Sequence, residues 1–147
     1  MSGDAASVVG VWRLVSFQAR RSDGQVLQPF GPDAHGSLIY TSSGRFSVHL
    51  MRADRPRLTS GDPLKGTADE MEANYKGVIA YYGSYRCDSG RGVVVHRVEG
   101  SLFPNWEGED LQRAFTLVGN HLTLTTSPTL FGGGGTIVGT VEWERVE

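Results

Sequence analysis

The chain holds a single cysteine, Cys87. No intrachain disulfide can form, which fits a reducing compartment. A basic excess is missing too: 14 Lys and Arg stand against 16 Asp and Glu, for a net charge of −2. With no cationic surplus to gather phosphates, nucleic acid is not expected as a partner. No run approaches the roughly 20 apolar residues of a membrane-spanning helix. The opening MSGDAASVVG lacks the basic start and apolar stretch of a secretory signal. A cytoplasmic protein without membrane contact is therefore expected. His35, His49, His96 and His121 are scattered, without metal-ligand spacing. Gly132–Gly135 is not followed by the Lys-Ser/Thr of a phosphate loop. Ser101 lacks the strand-to-helix setting of a nucleophile elbow. Neither a metal, a cofactor nor serine-hydrolase chemistry is expected.

Glycine is plentiful, with 20 in 147 residues. Many of them sit in short turn signals. Ser22-Asp23-Gly24, Thr41-Ser42-Ser43-Gly44, Asp88-Ser89-Gly90 and Gly119-Asn120 each separate two apolar runs, as hairpin turns do. A flexible FGGGG precedes the last run. Strands are expected near residues 11–20, 36–41, 45–52, 81–87, 92–103, 112–118, 121–127 and 136–146. Evenly spaced strands with hairpin turns predict an all-β, antiparallel barrel, sandwich or meander.

One helix interrupts the strands. Thr67-Ala68-Asp69-Glu70 reads as a capping box, with Thr67 at the N-cap and Glu70 reaching back. Met71, Tyr75, Val78, Ile79 and Tyr82 follow at helical spacing. The helix is expected over 68–79, with that stripe laid on the barrel. The preceding MRADRPRLTSGDPLKG is a long loop, either a lid or a solvated connector.

Alternation assigns the faces of each strand. In VVVHRVEGSLF, the parity puts Val94, His96, Val98, Gly100 and Leu102 inside. Arg97, Glu99, Ser101 and Phe103 fall outside. His96 and Glu99 then lie on opposite faces and do not form a catalytic pair. Pro104 ends the strand, because it cannot donate to a central ladder. Phe46, Val48 and Leu50 point in, as do Leu122, Leu124, Phe115 and Leu117, which carries Arg113 inward. Tyr40 shares a face with Leu38, and Tyr81 with Tyr85 and Cys87. In the first strand Trp12, Leu14, Ser16 and Gln18 share one face, and neither face is clearly polar. A buried Arg or His must be hydrogen-bonded or paired, and no inward carboxylate is evident. Arg113 is either a satisfied barrel-end arginine or a contact for an anionic or carbonyl-bearing ligand. His96 is either a core histidine bonded to a neighbour or a functional group.

Gly10-Val11-Trp12 at the start of the first strand, with Arg145 near the end of the last, resembles the lipocalin pattern. There a tryptophan closes the barrel floor beneath an arginine, a cation over an indole face. More specifically, the chain is similar to the bacterial and fungal lipocalin-like domain family along almost its whole length. The matching segments are VGVWRLVSF, PFGPDAHGSLIYTSSGRFSV, LMRADRPR, SGDPLKGT, HRVEGSLFPNW, LTLTT and VEWERV. The resemblance implies one domain over 1–147, an eight-stranded antiparallel lipocalin-like barrel with one short helix, with 1–8 as a flexible N-terminus. Related barrels bind ligands, and some act as cyclases or isomerases in natural-product pathways. Arg97 replaces the second histidine of the family's usual HHVE, so no role needing two adjacent histidines carries over.

Two functions compete at this stage. In the first, the barrel interior binds one small apolar molecule, a size that eight strands accommodate. Its contacts would be Gln18, Tyr40, Phe46, Val48, Val98, Phe115 and Leu124. In the second, the chain is a cofactor-independent cyclase, isomerase or dehydratase acting on a polyketide-like or terpenoid intermediate. His96 would be its general acid or base, and Arg113 with Tyr81 or Tyr85 would stabilise an enolate or alkoxide. A third possibility, a structural interaction domain, would fill the barrel with its own side chains. A small apolar molecule is the expected partner, and a homodimer is allowed.

Overall fold

The computed structural model describes residues 8–147. Eight long strands form one antiparallel barrel. They are β1 (Gly10–Arg21), β3 (His35–Tyr40), β4 (Arg45–Met51), β5 (Val78–Asp88), β6 (Val93–Ser101), β7 (Asp110–Val118), β8 (His121–Thr126) and β10 (Thr136–Arg145). Each pairs with the next, and β10 returns to pair with β1, which closes the sheet. Two two-residue strands, β2 (Val26–Leu27) and β9 (Thr129–Leu130), edge β1 and β10. Closure removes the exposed edges that an open sheet would leave. No helix among the described residues is long and apolar enough to cross a membrane.

The two-residue period builds the core. On β4, Phe46, Val48 and Leu50 are buried, while Arg45 and His49 face out. Leu122 and Leu124 on β8 do the same beside exposed His121. Backbones approach closely at Gly36, where an added Cβ would lie 2.1 Å from the His49 carbonyl oxygen. The floor is closed by Trp12, fully buried, whose Nε1 donates to the Val8 carbonyl at 2.9 Å. The Arg145 guanidinium lies 4.3 Å from the Trp12 ring centroid. Of the N-terminal segment expected to be flexible, residues 1–7 lie outside the described residues. Val8, its last residue, is buried.

Three expectations need correction. In β1 the register shifts between Leu14 and Ser16. Val15 is the extra residue of a bulge, so Phe17 and Ala19 turn inward and Gln18 turns out to solvent. Gln18 therefore cannot line the interior. A second shift separates Tyr82 from Gly83, with Glu99 as the unpaired residue of β6. Beyond it the parity reverses. Ser101, expected outside, pairs with inward Tyr81, and Gly100, expected inside, pairs with outward Tyr82. The Tyr82 ring occupies the space of a Gly100 side chain, 2.5 Å from where its Cβ would be. His96 precedes the bulge and is buried, and Arg97 and Glu99 are exposed. Leu102, also expected inside, lies exposed just after β6.

The third correction concerns the helix, α1 (Ala68–Lys76). Its capping box is present: Glu70 N–H donates to Thr67 Oγ1 at 3.1 Å, and Thr67 N–H to Glu70 Oε1 at 2.9 Å. Gly77 ends it, three residues earlier than the spacing predicts. Val78, Ile79 and Tyr82 belong to β5, and α1 itself buries no residue completely. The loop before it is tied down. Asn74 Nδ2 donates to the Pro56 carbonyl at 3.0 Å, and Thr59 Oγ1 to Glu70 Oε2 at 2.9 Å.

Candidate functional site

A line of aromatic side chains runs from the barrel rim to its interior. After β6, Pro104–Trp106 forms a single 3₁₀ turn, as a proline at its first position favours. This turn sets Trp106 edge-on to Phe103, with centroids 5.4 Å apart, and edge-on to Tyr81, also at 5.4 Å. Tyr81 in turn meets Phe46 at 5.5 Å. Phe46 stacks on the imidazole of His96 at 4.3 Å and 15°. The two nitrogens of His96 are both engaged. Nε2 lies 2.6 Å from the Tyr40 hydroxyl, and Nδ1 lies 3.1 Å from the Tyr81 hydroxyl.

Burial holds this group electrically neutral. His96 is 1% exposed. Removing the imidazolium from water pushes its pKa well below the ordinary histidine value, and the nearby Arg113 charge pushes it the same way. Burial likewise raises the Tyr40 phenol well above its ordinary value, with Tyr81 the next cause. Neither residue ionises near neutral pH. Tyr85 is committed elsewhere: its hydroxyl donates to the Thr41 carbonyl at 2.7 Å, and burial raises its pKa.

Above this group the barrel opens. An inner cavity of about 100 Å³ is lined by Tyr81, Arg113, Phe17, Leu111, Thr126 and Val141, among others. Ile79, Trp106, Leu130 and Phe131 belong to its wall and also line a wider mouth of about 420 Å³. The mouth adds Tyr75 and Lys76 from the end of α1, and Leu102 and Phe103 from the turn after β6. Its far wall is the segment joining β9 to β10. There Gly132, Gly133, Gly134 and Gly135 have φ of 83°, 84°, 76° and 95°, a left-handed run that side-chain-bearing residues rarely adopt.

The expected site residues divide by depth. Tyr81 and Arg113 line the inner cavity, and His96 stands one hydrogen bond behind Tyr81. Tyr40, Phe46, Val48, Val98, Phe115 and Leu124 are buried in the packed core and line neither cavity. Gln18 is outside the barrel. Trp106 stands at the barrel rim, where the proline that ends the strand predicts it, but the sequence reading missed the rest of the rim: Ile79, Phe103, Leu130 and Phe131. The available signal was the pair of apolar clusters SLFPNW and TLF, each too rich in exposed aromatic and aliphatic surface for an ordinary connector. No group of three or more His, Cys, Asp or Glu among the described residues could hold a metal ion.

A closed antiparallel barrel with a tryptophan–arginine floor and an apolar mouth is the architecture of a lipocalin-like protein. The family model of the lipocalin-like domain matches residues 9–146, and the chain belongs to that family. The 4'-hydroxy-3'-methoxypropiophenone carrier protein ppsC of Aspergillus oryzae is 29% identical over an 86-residue alignment that covers 54% of this chain and 78% of that protein. Among solved structures, a mutant of the fluorescent protein UnaG aligns with a TM-score of 0.40 at 12% identity, over 95% of this chain and 96% of the other. The architecture described above rests on the strand pairing itself.

Proposed function

We propose that the chain binds one small, largely apolar molecule at the open end of its barrel, as a carrier does. The observation that carries this reading is the mouth of about 420 Å³, which shares Ile79, Trp106, Leu130 and Phe131 with the inner cavity. Its size falls within the roughly 300–1,000 Å³ of small-molecule sites. The lower barrel is packed with its own side chains, so the ligand sits higher than the parity of the strands suggested. The Aspergillus relative is named as the carrier of an aromatic ketone. A molecule of that kind, a ring with short oxygenated substituents, suits a rim of Phe103, Trp106 and Phe131.

The cyclase, isomerase or dehydratase reading takes second place. His96 has both nitrogens occupied and reaches the cavity only through Tyr81. It is poorly placed to move a substrate proton directly. A role in natural-product metabolism suits either reading. A cytoplasmic location agrees with the lone Cys87, half-buried and outside any disulfide.

Titration with N-phenyl-1-naphthylamine, an apolar dye that brightens when it leaves water, tests binding. Saturable one-to-one binding that quenches or shifts tryptophan emission is expected. A dye signal that never saturates, or that survives replacement of both Trp106 and Phe131 by serine, would remove the mouth as the site.

A further inference from the structure

The direction of the hydrogen bonds behind the inner cavity constrains what the cavity can receive. Tyr40 is fully enclosed, and its hydroxyl meets no hydrogen-bonding atom of the described residues except His96 Nε2. A tyrosine hydroxyl carries one proton. If Nε2 also carried a proton, the Tyr40 proton would have no acceptor in the core, and a buried unsatisfied donor is costly. Tyr40 therefore donates to Nε2. The neutral His96 then keeps its single proton on Nδ1, which donates to the Tyr81 hydroxyl oxygen at 3.1 Å. That bond uses a lone pair of Tyr81 and leaves the Tyr81 proton without a protein acceptor.

Tyr81 forms part of the inner-cavity wall, and so does Arg113. Arginine has five N–H donors and no acceptor. The Arg113 bond to protein is from Nη1 to the Gln112 carbonyl at 3.3 Å, and it has no carboxylate partner among the described residues. Thr126, on the same wall, already accepts the Gly139 N–H at 2.9 Å. No carboxylate lines the cavity. Besides the Thr126 and Thr129 hydroxyls, the polar side chains of the wall are the donors Tyr81 and Arg113.

We infer that the inner cavity receives a hydrogen-bond-accepting carbonyl oxygen, of a ketone or a carboxylate, which enters ahead of an apolar tail. Tyr81 is its direct donor and Arg113 a second. Tyr40 touches no ligand and is a positioning residue, fixing the His96 tautomer that turns the Tyr81 proton towards the cavity. This inference rests on the binding reading above, but it asks more: a choice between head groups of nearly identical shape.

The test is displacement of N-phenyl-1-naphthylamine by butyrophenone, its secondary alcohol, butylbenzene and phenylbutyrate. Butyrophenone should bind on the order of tenfold tighter than butylbenzene, the scale of one well-made hydrogen bond, and tighter than the alcohol. Tyr81→Phe should cut that preference most of the way, to the share Arg113 supplies, and leave butylbenzene unchanged. Tyr40→Phe should move the ketone-to-alcohol ratio towards one, again without affecting butylbenzene, an effect that loosened packing would not produce. Phenylbutyrate reports on Arg113: affinity above that of butyrophenone, lost in Arg113→Met, identifies a carboxylate, whereas equal affinity identifies the neutral carbonyl. Independently of any ligand, nitrogen NMR of the native protein should find the His96 proton on Nδ1. A proton on Nε2 overturns the inference, and so does an alcohol or butylbenzene that binds as well as the ketone. If the dye and butylbenzene bind without head-group preference, the carbonyl receptor fails alone. If neither the dye nor any member of the series binds, the binding reading fails and this inference with it.

Discussion

The Tyr40 hydroxyl and His96 Nε2 lie 2.6 Å apart inside the barrel, and Phe46 stacks flat against the same imidazole. A histidine held this way keeps both hydrogen bonds and its aromatic contact while neutral, and burial opposes charging it. Charging it would bury a cation facing Tyr40, Tyr81 and Phe46, with Arg113 the nearest formal charge and of the same sign.

Acid stability follows with a definite sign. The folded pKa of His96 lies below the unfolded value near 6.5. The unfolded chain therefore binds a proton that the native chain refuses, and stability is full above that value. It falls as pH drops from about 6.5 towards the depressed folded pKa, by at most about 1.4 kcal/mol per pH unit. Glu99, Glu70, Glu142 and Asp54, whose pKa values are also lowered, contribute their losses only as pH falls from the ordinary carboxylate pKa downward, below about pH 5.5. Urea denaturation at pH 7.5 and 5.5 should show the native protein weaker at the lower pH. His96→Gln, which still offers a donor and an acceptor, should flatten that difference. A slope unchanged in the variant would assign the effect to another group.

The floor makes a separate prediction. Trp12 is fully buried, donates to Val8 and carries the Arg145 guanidinium on its face. Trp12→Ala should cost about 3–5 kcal/mol, the range for large aromatic truncations in a core. Thermal or denaturant unfolding measures it, and an unchanged melting temperature would deny the floor its structural role.

At the other end, the capping box of α1 satisfies two backbone N–H groups reciprocally. Thr67→Ala should cost about 1 kcal/mol in unfolding. The same change should speed hydrogen exchange in the first turn of α1 more than in the barrel strands, because the helix buries no residue fully and opens locally.

Much of the barrel could be read from its alternation because one face of each strand must be dry. Phe46, Val48 and Leu50 leave no doubt about β4, nor Leu122 and Leu124 about β8. The reading slipped where one extra residue changes parity: Val15 in β1 misassigned Gln18, and Glu99 in β6 misassigned Gly100 and Ser101. A bulge residue has no chemical signature of its own. The end of the helix was missed for a related reason. Val78 and Ile79 continue the spacing of Met71 and Tyr75, and only the break at Gly77 separates helix from strand. His96, Tyr81 and Arg113 were placed on the inner face correctly. The depth of the site was not legible, because it depends on how far side chains from distant strands fill the lower barrel. Its rim joins residues near 79, 106 and 131, and no local pattern reports contacts across such separations.

That rim supplies the last prediction. Trp106 lines both cavities, is only half-buried, and packs edge-on against Tyr81 and Phe103. An aromatic side chain in this position gives a ligand a large flat contact at small entropic cost, as anchor residues at binding surfaces do. Trp106→Ala should therefore weaken binding of an apolar aromatic probe by about 2 kcal/mol, the threshold for such anchors. Its effect on stability should be well below that of Trp12→Ala, because Trp106 sits on a turn outside the closed sheet and leaves no enclosed cavity when truncated. Phe115→Ala should behave in the opposite way. Phe115 is core and lines neither cavity, so its loss should lower the melting temperature markedly and change affinity little in the molecules that remain folded. Isothermal titration and thermal melts on the three variants separate the two roles. If Trp106→Ala lowers stability as much as Trp12→Ala while affinity is kept, Trp106 is a structural lid over Tyr81, and the ligand contacts must lie on the opposite wall around Leu130 and Phe131.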